Sequence, residues 1–377
     1  MIRVGFDATA AAWQGAGIGR AARSLLLAML RRREPDIEWV VFYLGQRIAR
    51  GFEESLADHG VIPSLIPVSP RLGFFIWQRM RAPIPVELFT GRLDLLHSPD
   101  FVLPYSFARR RVLTIHDLTY LTHPHTAEPR LRERLDRAVR RSIEIADRVH
   151  CVSAHTAAAV GDLLGYDADR IDVIYNGLDE KLAKPPTQDE LDRLDELQLP
   201  ERFVLSVGTL QPRKNMLRTV RAVAQLRSRG HDVGLVHVGA TGWISDQDLA
   251  SIDRFGEGFL VRLGSIDDGL LRALYVRAQA LAAVSEAEGF LLPIIEAMAH
   301  SVPVVTANAS CMPEIAGGAA LLVDPFDVEA IADALAEALE PGTDRDLRLG
   351  AGVARAREFD WDRAARETLA SYRSALN

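Results

Sequence analysis

A regular alternation of short, β-branched apolar runs with longer segments of helical periodicity constrains the fold of this chain more than any other feature. Such alternation is typical of βαβ units, in which consecutive strands pair in a parallel sheet. In the first half, helices are expected over residues 20–32 and 131–145. The strands predicted there are residues 3–7, 39–44, 65–67, 95–98, 111–116, 148–152 and 172–175.

The pattern changes at residues 181–202, where Lys184-Pro185-Pro186 begins a polar, charged stretch without a strand signal. This composition is typical of a linker or a domain boundary. A second series of strands is then predicted at residues 203–208, 234–239, 259–263, 280–284, 303–306 and 320–323. We therefore predict an α/β fold with two doubly wound, Rossmann-like parallel-sheet domains facing a cleft, over residues 1–182 and 187–360.

Length and composition exclude several classes of protein. A chain of 377 residues has room for two or three domains of ~150 residues. The net charge of −7 argues against a general nucleic-acid-binding protein. The two cysteines, Cys151 and Cys311, lie in no metal-binding or disulfide pattern. With no signal-peptide pattern and no long apolar run, we expect a cytoplasmic protein.

Residues 285–300 contain the most informative candidate site. Pro293 suits the first turn of a helix, so the preceding residues should form a strand-to-helix loop with free amides that suit a diphosphate or sugar oxygens. Those residues are Gly289, Phe290, Leu291 and Leu292. Glu288 before the loop and Glu296 inside the helix can accept hydrogen bonds from sugar and ribose hydroxyls. The alternative is a buried core helix with two incidental acids.

A basic pair, Arg213 and Lys214, follows the first strand of the second series, shortly after Gly208 and Thr209. Only three of the 44 basic residues are lysines, which makes a lysine at this place notable. A guanidinium binds phosphate in a planar fork, and an ammonium adds a compact charge. Together they can neutralise a leaving diphosphate without a metal ion. A solvated basic pair at a helix start is the alternative.

A glycine loop near the N-terminus, Gly15-Ala16-Gly17-Ile18-Gly19-Arg20, has some likeness to a dinucleotide-binding fingerprint. Arg20 replaces its last glycine, and no acid follows the next strand. We interpret it as a loop over the cleft in which Gly17 permits close backbone approach. Farther along, His116 ends a predicted strand. Its position fits a structural residue and a residue facing the cleft equally well.

Taken together, these residues resemble the retaining glycosyltransferases of family 4, which have the GT-B fold and include sucrose synthase and bacterial mannosyltransferases. The similarity covers nearly the whole chain, and its motifs are specific in combination. They are Gly17-Ile18-Gly19-Arg20, His116-Asp117-Leu118, Val207-Gly208-Thr209, Arg213-Lys214-Asn215, the E-x7-E spacing from Glu288 to Glu296, Glu296-Ala297-Met298-Ala299 and Pro313-Glu314-Ile315-Ala316-Gly317.

The resemblance implies a role for each site residue. Arg213 and Lys214 would hold the donor diphosphate, and Glu296 would bind the ribose. Glu288, with the amides of residues 289–292, would hold the transferred sugar. From the first domain, Gly17 would approach the diphosphate and His116 would touch the donor sugar. The closing helix, residues 361–377, would cross back onto the first domain.

The resemblance also implies a donor and no cofactor beyond it. The pattern from His116 to Pro124 is most similar to bacterial O-antigen-type mannosyltransferases of polysaccharide biosynthesis, which implies GDP-mannose as the donor, no required metal ion, and a saccharide or lipid-linked saccharide as the acceptor. Leu291 and Ser301 stand where the family usually has glycine. Leucine adds a side chain beside the sugar and disfavours a positive φ, so the identity of the donor sugar is left open.

Three further alternatives stay open at this point. The same fold also serves nucleotide-sugar epimerases and phosphorylases, and it would serve a non-catalytic nucleotide-sugar-binding protein.

The segment Phe74-Phe75-Ile76-Trp77 and the arginines near it would suit docking on an anionic membrane. An apolar core segment beside a solvated helix face explains the same residues. The arginines concerned are Arg79, Arg81, Arg130, Arg132, Arg134, Arg137, Arg140 and Arg141.

Overall fold

The computed structural model describes the whole chain except residues 16, 46, 47 and 49 and the side chain of residue 50. It divides into two compact units. The first comprises Met1–Thr122, Pro129–Gly177 and Asp360–Asn377, and the second comprises His123–Glu128 and Leu178–Phe359. Within the described residues, no helix combines the length and the apolarity needed to cross a membrane.

The first unit contains a seven-stranded, parallel sheet in the order β3-β2-β1-β4-β5-β6-β7. Its strands are β1 (Ile2–Asp7), β2 (Ile37–Leu44), β3 (Ser64–Ile66), β4 (Leu95–Ser98), β5 (Arg110–Ile115), β6 (Arg148–Cys151) and β7 (Ile171–Val173). Its first helices are α1 (Thr9–Trp13), α2 (Ile18–Arg31), α3 (Arg50–Ala57), α4 (Pro70–Phe74), α5 (Glu87–Thr90), α6 (Thr119–Thr122), α7 (Pro129–Ile145) and α8 (Ala154–Leu164). A π-helical turn, Phe75–Arg79, continues α4, and a 3-10 turn, Ala168–Arg170, precedes β7.

The second unit contains a six-stranded, parallel sheet in the order β10-β9-β8-β11-β12-β13. Its strands are β8 (Phe203–Val207), β9 (Gly234–Val238), β10 (Leu260–Gly264), β11 (Ala280–Ala283), β12 (Val304–Ala307) and β13 (Leu321–Val323). Its helices are α9 (Glu180–Ala183), α10 (Gln188–Asp195), α11 (Met216–Ser228), α12 (Asp246–Phe255), α13 (Asp268–Arg277), α14 (Pro293–Ala299), α15 (Met312–Ala316), α16 (Val328–Leu339) and α17 (Thr343–Ala356), with 3-10 turns at Pro124–Thr126 and Pro212–Lys214. Two Rossmann-like sheets with helices confirm the predicted fold class.

The last helix, α18 (Trp361–Leu376), belongs to the first unit. Trp361, Leu369 and Tyr372 are buried in the same apolar core as Val4 and Leu26. Burying side chains of this size contributes about 2 kcal/mol each. The C-terminal residues therefore complete a core that the N-terminal residues begin.

The polar stretch expected to be a linker or a domain boundary is helical over residues 188–195. Thr187 and Glu190 form a reciprocal capping box at the start of α10, which satisfies backbone donors that would otherwise lack partners. Arg193 then contacts Asp267 at 2.5 Å, and Arg272 pairs with Glu190. The boundary between the units falls at residues 177 and 178, earlier than the predicted 182 and 187.

Candidate active site

The topology of the second sheet brings two site loops together. β8 and β11 are neighbours at its centre, where the order of the strands reverses. Ligands of open parallel sheets bind beyond the carboxyl ends of strands at such a point. The loop after β8 carries Arg213 and Lys214, and the loop after β11 carries Glu288. Two motifs more than seventy residues apart therefore meet at one edge of the sheet.

The centre of the site is a carboxylate held by two cations. Glu288 is buried, and its carboxylate contacts the guanidinium of Arg213 and lies 2.7 Å from the Nζ of Lys214. Burial by itself would raise the pKa of Glu288, but the charges of Arg213 and Lys214 outweigh it and lower the pKa to about 2. The carboxylate is therefore ionised at neutral pH, and the cluster of three keeps one net positive charge.

Gly208 makes room for Lys214. Its φ of 146° lies in a region that residues with a side chain rarely adopt, and a Cβ at this position would lie 3.1 Å from the Cε of Lys214. The carbonyl of Gly208 is in turn packed against Gly239, whose own φ is 148°. Thr209 follows and is half-buried. The glycine thus lets the lysine side chain lie directly against the backbone at the end of β8.

Asn215 joins the two loops, and the sequence reasoning gave it no separate role. Its buried Nδ2 donates to the carbonyl oxygens of Val284 at 3.0 Å and Pro325 at 2.6 Å. Its φ of 58° is left-handed, a conformation that asparagine tolerates better than most residues. An asparagine between Lys214 and the helix was the available signal, since it ends the 3-10 turn and begins α11.

The second acid of the E-x7-E spacing, Glu296, pairs with a tyrosine instead of with cations. It is 4% exposed, and its Oε2 accepts a hydrogen bond of 2.7 Å from the hydroxyl of Tyr275. The ring of Tyr275 stacks on His300, whose Nε2 donates to the carbonyl oxygen of Leu182. Tyr275 is a second residue that the sequence reasoning missed, because it lies on α13 and nothing local relates it to Glu296.

The loop between Glu288 and α14 is buried and partly strained. Leu291 has a φ of 67° and is 6% exposed, so the leucine does occupy the left-handed region that a glycine would favour. The ring of Phe290 packs edge-on against the ring of Phe359, with their centroids 5.4 Å apart. Gly289 is buried beside them, and Leu292 precedes the seven-residue helix α14. The loop is fixed by packing rather than left open to solvent.

Glu286 is also a buried carboxylate in this region, beside Glu288 and Glu296. The sequence reasoning did not select it. Its Oε2 accepts from the Nε2 of His125 at 2.9 Å, and its Oε1 lies 3.2 Å from the Nη1 of Arg218. Its backbone amide donates to the carbonyl oxygen of Arg213. Trp243 donates to the carbonyl oxygen of Thr126 at 2.9 Å. These bonds attach residues 123–128 to the second unit.

Two predicted site residues, Gly17 and His116, lie in the first unit. Gly17 has a φ of 57° and precedes α2, and among the described residues, its chain neighbours aside, no atom lies within 4 Å of where its Cβ would be. Glycine is therefore favoured here by backbone conformation and not by crowding. His116 is 9% exposed and its Nε2 donates to the carbonyl oxygen of Pro99 at 2.8 Å. Its ring is fixed by this bond, and its expected contact with the sugar stays a prediction.

Among the described residues, no group of three histidine, cysteine or acidic side chains is arranged to hold a metal ion. The acids of the site are engaged differently. Glu288 pairs with cations and Glu296 with a phenol hydroxyl.

Two family models match the chain, one in each half. Residues 16–182 match the family model described as Glycosyltransferase Family 4, and residues 201–341 match the one described as Glycosyl transferases group 1. The O-antigen chain mannosyltransferase B of Escherichia coli is 31% identical over 283 residues, which is 74% of this chain and 74% of that protein.

Solved structures share the fold over almost the whole chain. HepE of Anabaena, in complex with UDP and glucose, has a TM-score of 0.75 at 20% identity and matches 99% of this chain and 100% of its own. Sucrose-phosphate synthase of Thermosynechococcus elongatus has the same TM-score and identity, with 99% of each chain covered. The two family matches and the 31% identical relative establish what the fold alone would not: this chain belongs to glycosyltransferase family 4, and it is a glycosyltransferase.

Proposed function

We propose that this enzyme transfers mannose from GDP-mannose to a saccharide or lipid-linked saccharide acceptor, with retention of the anomeric configuration and without a metal ion. The observation that carries the proposal is the half-buried cation pair of Arg213 and Lys214 beyond β8, held on the buried carboxylate of Glu288. A similar protein of E. coli is named as an O-antigen chain mannosyltransferase, which favours mannose as the transferred sugar.

The reaction breaks the bond between the anomeric carbon and the oxygen of the β-phosphate, and it forms a bond from that carbon to an acceptor hydroxyl. The electron pair of the broken bond leaves with the diphosphate. The acceptor attacks from the face that the diphosphate leaves, and its proton passes to an oxygen of the leaving phosphate. Negative charge therefore grows on the diphosphate, and fixed cations beside it lower the barrier.

Glu288 has two parts in this proposal. Without a donor it holds Arg213 and Lys214 in place, because a buried, ionised carboxylate between two half-buried cations fixes both side chains. When a diphosphate binds, Arg213 and Lys214 contact both the diphosphate and the carboxylate of Glu288. The carboxylate oxygens then have capacity to accept a hydrogen bond from a hydroxyl of the transferred sugar. Glu296 would accept from a ribose hydroxyl beside the bond it already receives from Tyr275.

The donor is tested by calorimetric titration of the protein with GDP, UDP and ADP, followed by transfer assays with GDP-mannose and UDP-glucose. The proposal expects GDP to bind at least tenfold more tightly than the other two and mannose to be transferred. Tighter binding of UDP, with transfer of glucose, would replace the proposed donor and keep the proposed chemistry. No nucleotide binding at all would remove the diphosphate site.

The stereochemistry and the metal requirement are tested on the product. Proton NMR of the newly formed linkage should show the same anomeric configuration as in the donor. Turnover should be unchanged after dialysis against a chelator. An inverted product would exclude same-face attack, and loss of turnover that Mg²⁺ or Mn²⁺ restores would exclude a metal-independent mechanism.

A further inference from the structure

The first unit carries a broad groove of about 720 Å³ between residues 71–81 and helix α7. Eight arginines and two glutamates line it, three of the arginines from the first segment and five from α7. The groove therefore has an excess of six positive charges in a chain whose net charge is −7. A single-sign field of this density attracts polyvalent anions.

Two arginines of α7 contact the facing segment through their side chains. Arg141 donates to the carbonyl oxygen of Trp77 at 2.9 Å, and Arg134 lies over the ring of Phe74 at 5.0 Å. Arg71 and Arg79 are exposed and form no ion pair with a carboxylate in the described part of the chain. Their charges are thus available to an external partner.

The same segment exposes large apolar side chains between its arginines. Leu72 is 49% exposed, Phe75 is 48% exposed and Met80 is 61% exposed. Trp77 between them is buried, and its Nε1 donates to the carbonyl oxygen of Ile84 at 2.7 Å, which fixes the turn. Apolar side chains placed in water beside unpaired cations mark a surface that meets a partner with apolar and anionic parts.

We propose that this groove and its apolar rim dock on the surface of an anionic lipid bilayer. Arg71, Arg79 and the α7 arginines pair with lipid phosphates, and Leu72, Phe75 and Met80 enter the boundary between headgroups and acyl chains. A nucleic acid is disfavoured by the net charge of the chain, and a single small anion would use few of the eight arginines. The inference is independent of which nucleotide sugar the enzyme uses.

Vesicle flotation of the full chain tests this, with vesicles of phosphatidylcholine alone and of phosphatidylcholine with phosphatidylglycerol. Binding is expected to the anionic vesicles only. The double variant Arg71→Glu/Arg79→Glu should lower the partition coefficient by roughly 25-fold or more, since each basic residue near such a surface contributes about a fivefold factor. The matched control, Arg31→Glu/Arg92→Glu, makes the same charge change at exposed positions outside the groove and should bind within about twofold of the unmodified chain.

A second variant tests the apolar rim. Salt screens the contribution of the arginines, so binding that persists at about 0.5 M salt reports on inserted side chains. Leu72→Ser/Phe75→Ser should remove that remaining part and keep most of the binding at low salt. The secondary structure and the nucleotide binding of every variant are measured in the same preparations, which identifies any variant that has lost its fold.

Three results would overturn the inference. Equal losses in the groove variant and its control would show a general charge effect. Binding to neutral vesicles as strong as to anionic ones would remove the role of the arginines. Full displacement from vesicles by low millimolar inorganic diphosphate would show a site for a small anion instead. Intact flotation by a protein that binds no nucleotide would refute the proposed donor site and leave the membrane site standing.

Discussion

Lys214 lies 2.7 Å from Glu288 and against the backbone of Gly208, so a change at this side chain is confined to the site. Lys214→Ala removes one of two cations that stabilise the leaving diphosphate. Loss of one well-placed group typically costs about 3 kcal/mol, so turnover should fall by roughly a hundredfold or more. Initial rates of sugar transfer measure this.

The chain offers a matched control for that variant. Lys184 is one of the three lysines and is exposed, and Lys184→Ala makes the same chemical change away from the site. It should leave turnover unchanged. Near-normal turnover in Lys214→Ala, with the fold intact, would show that Arg213 alone or another group carries the diphosphate charge.

A second single-residue expectation concerns stability. Ser301 lies two residues after the end of α14 and has a φ of 56°. A residue with a Cβ is destabilised by about 1 kcal/mol or more in the left-handed region. Glycine removes this cost, but part of the gain is lost because glycine also gives the unfolded chain more conformational entropy. Ser301→Gly should therefore raise the free energy of unfolding by about 0.5 kcal/mol.

Urea unfolding curves measure this change, and Ser301→Ala is the control. Alanine has the same Cβ as serine and should bring no gain. If both variants were equally stabilised, the cause would lie in the serine hydroxyl and not in the backbone conformation.

At the scale of secondary-structure elements, buried histidines dock helix α18 on the first sheet. His97 contacts the hydroxyls of Tyr372 and Thr114, and the Nε2 of His150 pairs with the Oγ of Ser371 at 2.8 Å. Burial lowers the pKa of His97 well below its usual value. Burial also lowers the pKa of His150, to about 4, although Asp172 nearby favours its charged form.

These depressed pKa values predict acid sensitivity. The unfolded chain takes up protons near pH 6.5 and the folded chain only near pH 4, so stability is complete above pH 7 and falls as the pH drops through that window. His150 alone should lower the free energy of unfolding by about 2 kcal/mol between pH 7 and pH 5. Urea unfolding at both pH values measures the loss.

The variant His150→Gln provides the control, since it should lose the part of this pH dependence that His150 contributes. Between pH 7 and pH 5, peptides from α18 should also lose more of their protection from hydrogen exchange than peptides from β8 and β9. Equal stability at pH 7 and pH 5 would show that the two buried histidines take up protons without loss of the docked helix.

At the scale of the whole molecule, neither unit is formed by one continuous stretch of the chain. The first unit needs the last residues of the chain, 360–377, and the second includes residues 123–128 from the first half. Trp361, Leu369 and Tyr372 together bury apolar surface that contributes about 6 kcal/mol, which is comparable with the whole stability of many domains. The core of the first unit therefore stays incomplete until the C-terminus is present.

Truncation after Phe359 should unfold the first unit and spare the second. Hydrogen exchange should lose protection in β1, β4 and β5 and keep it in β8, β9 and β11. GDP should still give binding heat, because the proposed diphosphate residues lie in the second unit. Removal of Asn377 alone is the control and should change neither. Undiminished protection of β4 and β5 in the truncated chain would show that α18 is dispensable.

The sequence by itself determined the fold class and selected the residues of the candidate site. Each predicted strand begins and ends within two residues of an observed one, because period and β-branched content are local properties. The E-x7-E spacing and the basic pair identified Glu288, Glu296, Arg213 and Lys214. Their meeting at one edge follows from the rule that carboxyl ends of parallel strands share that edge.

Only the tertiary structure decided which of these groups pair and what supports them. The ion pairs of Glu288 with both cations, the bond from Tyr275 to Glu296 and the attachment of His125 to Glu286 join residues far apart in the chain. Helix α10, which was not predicted from the sequence, pairs through Arg193 with Asp267 and through Glu190 with Arg272. Such contacts depend on distance in space, which no local pattern of residues encodes.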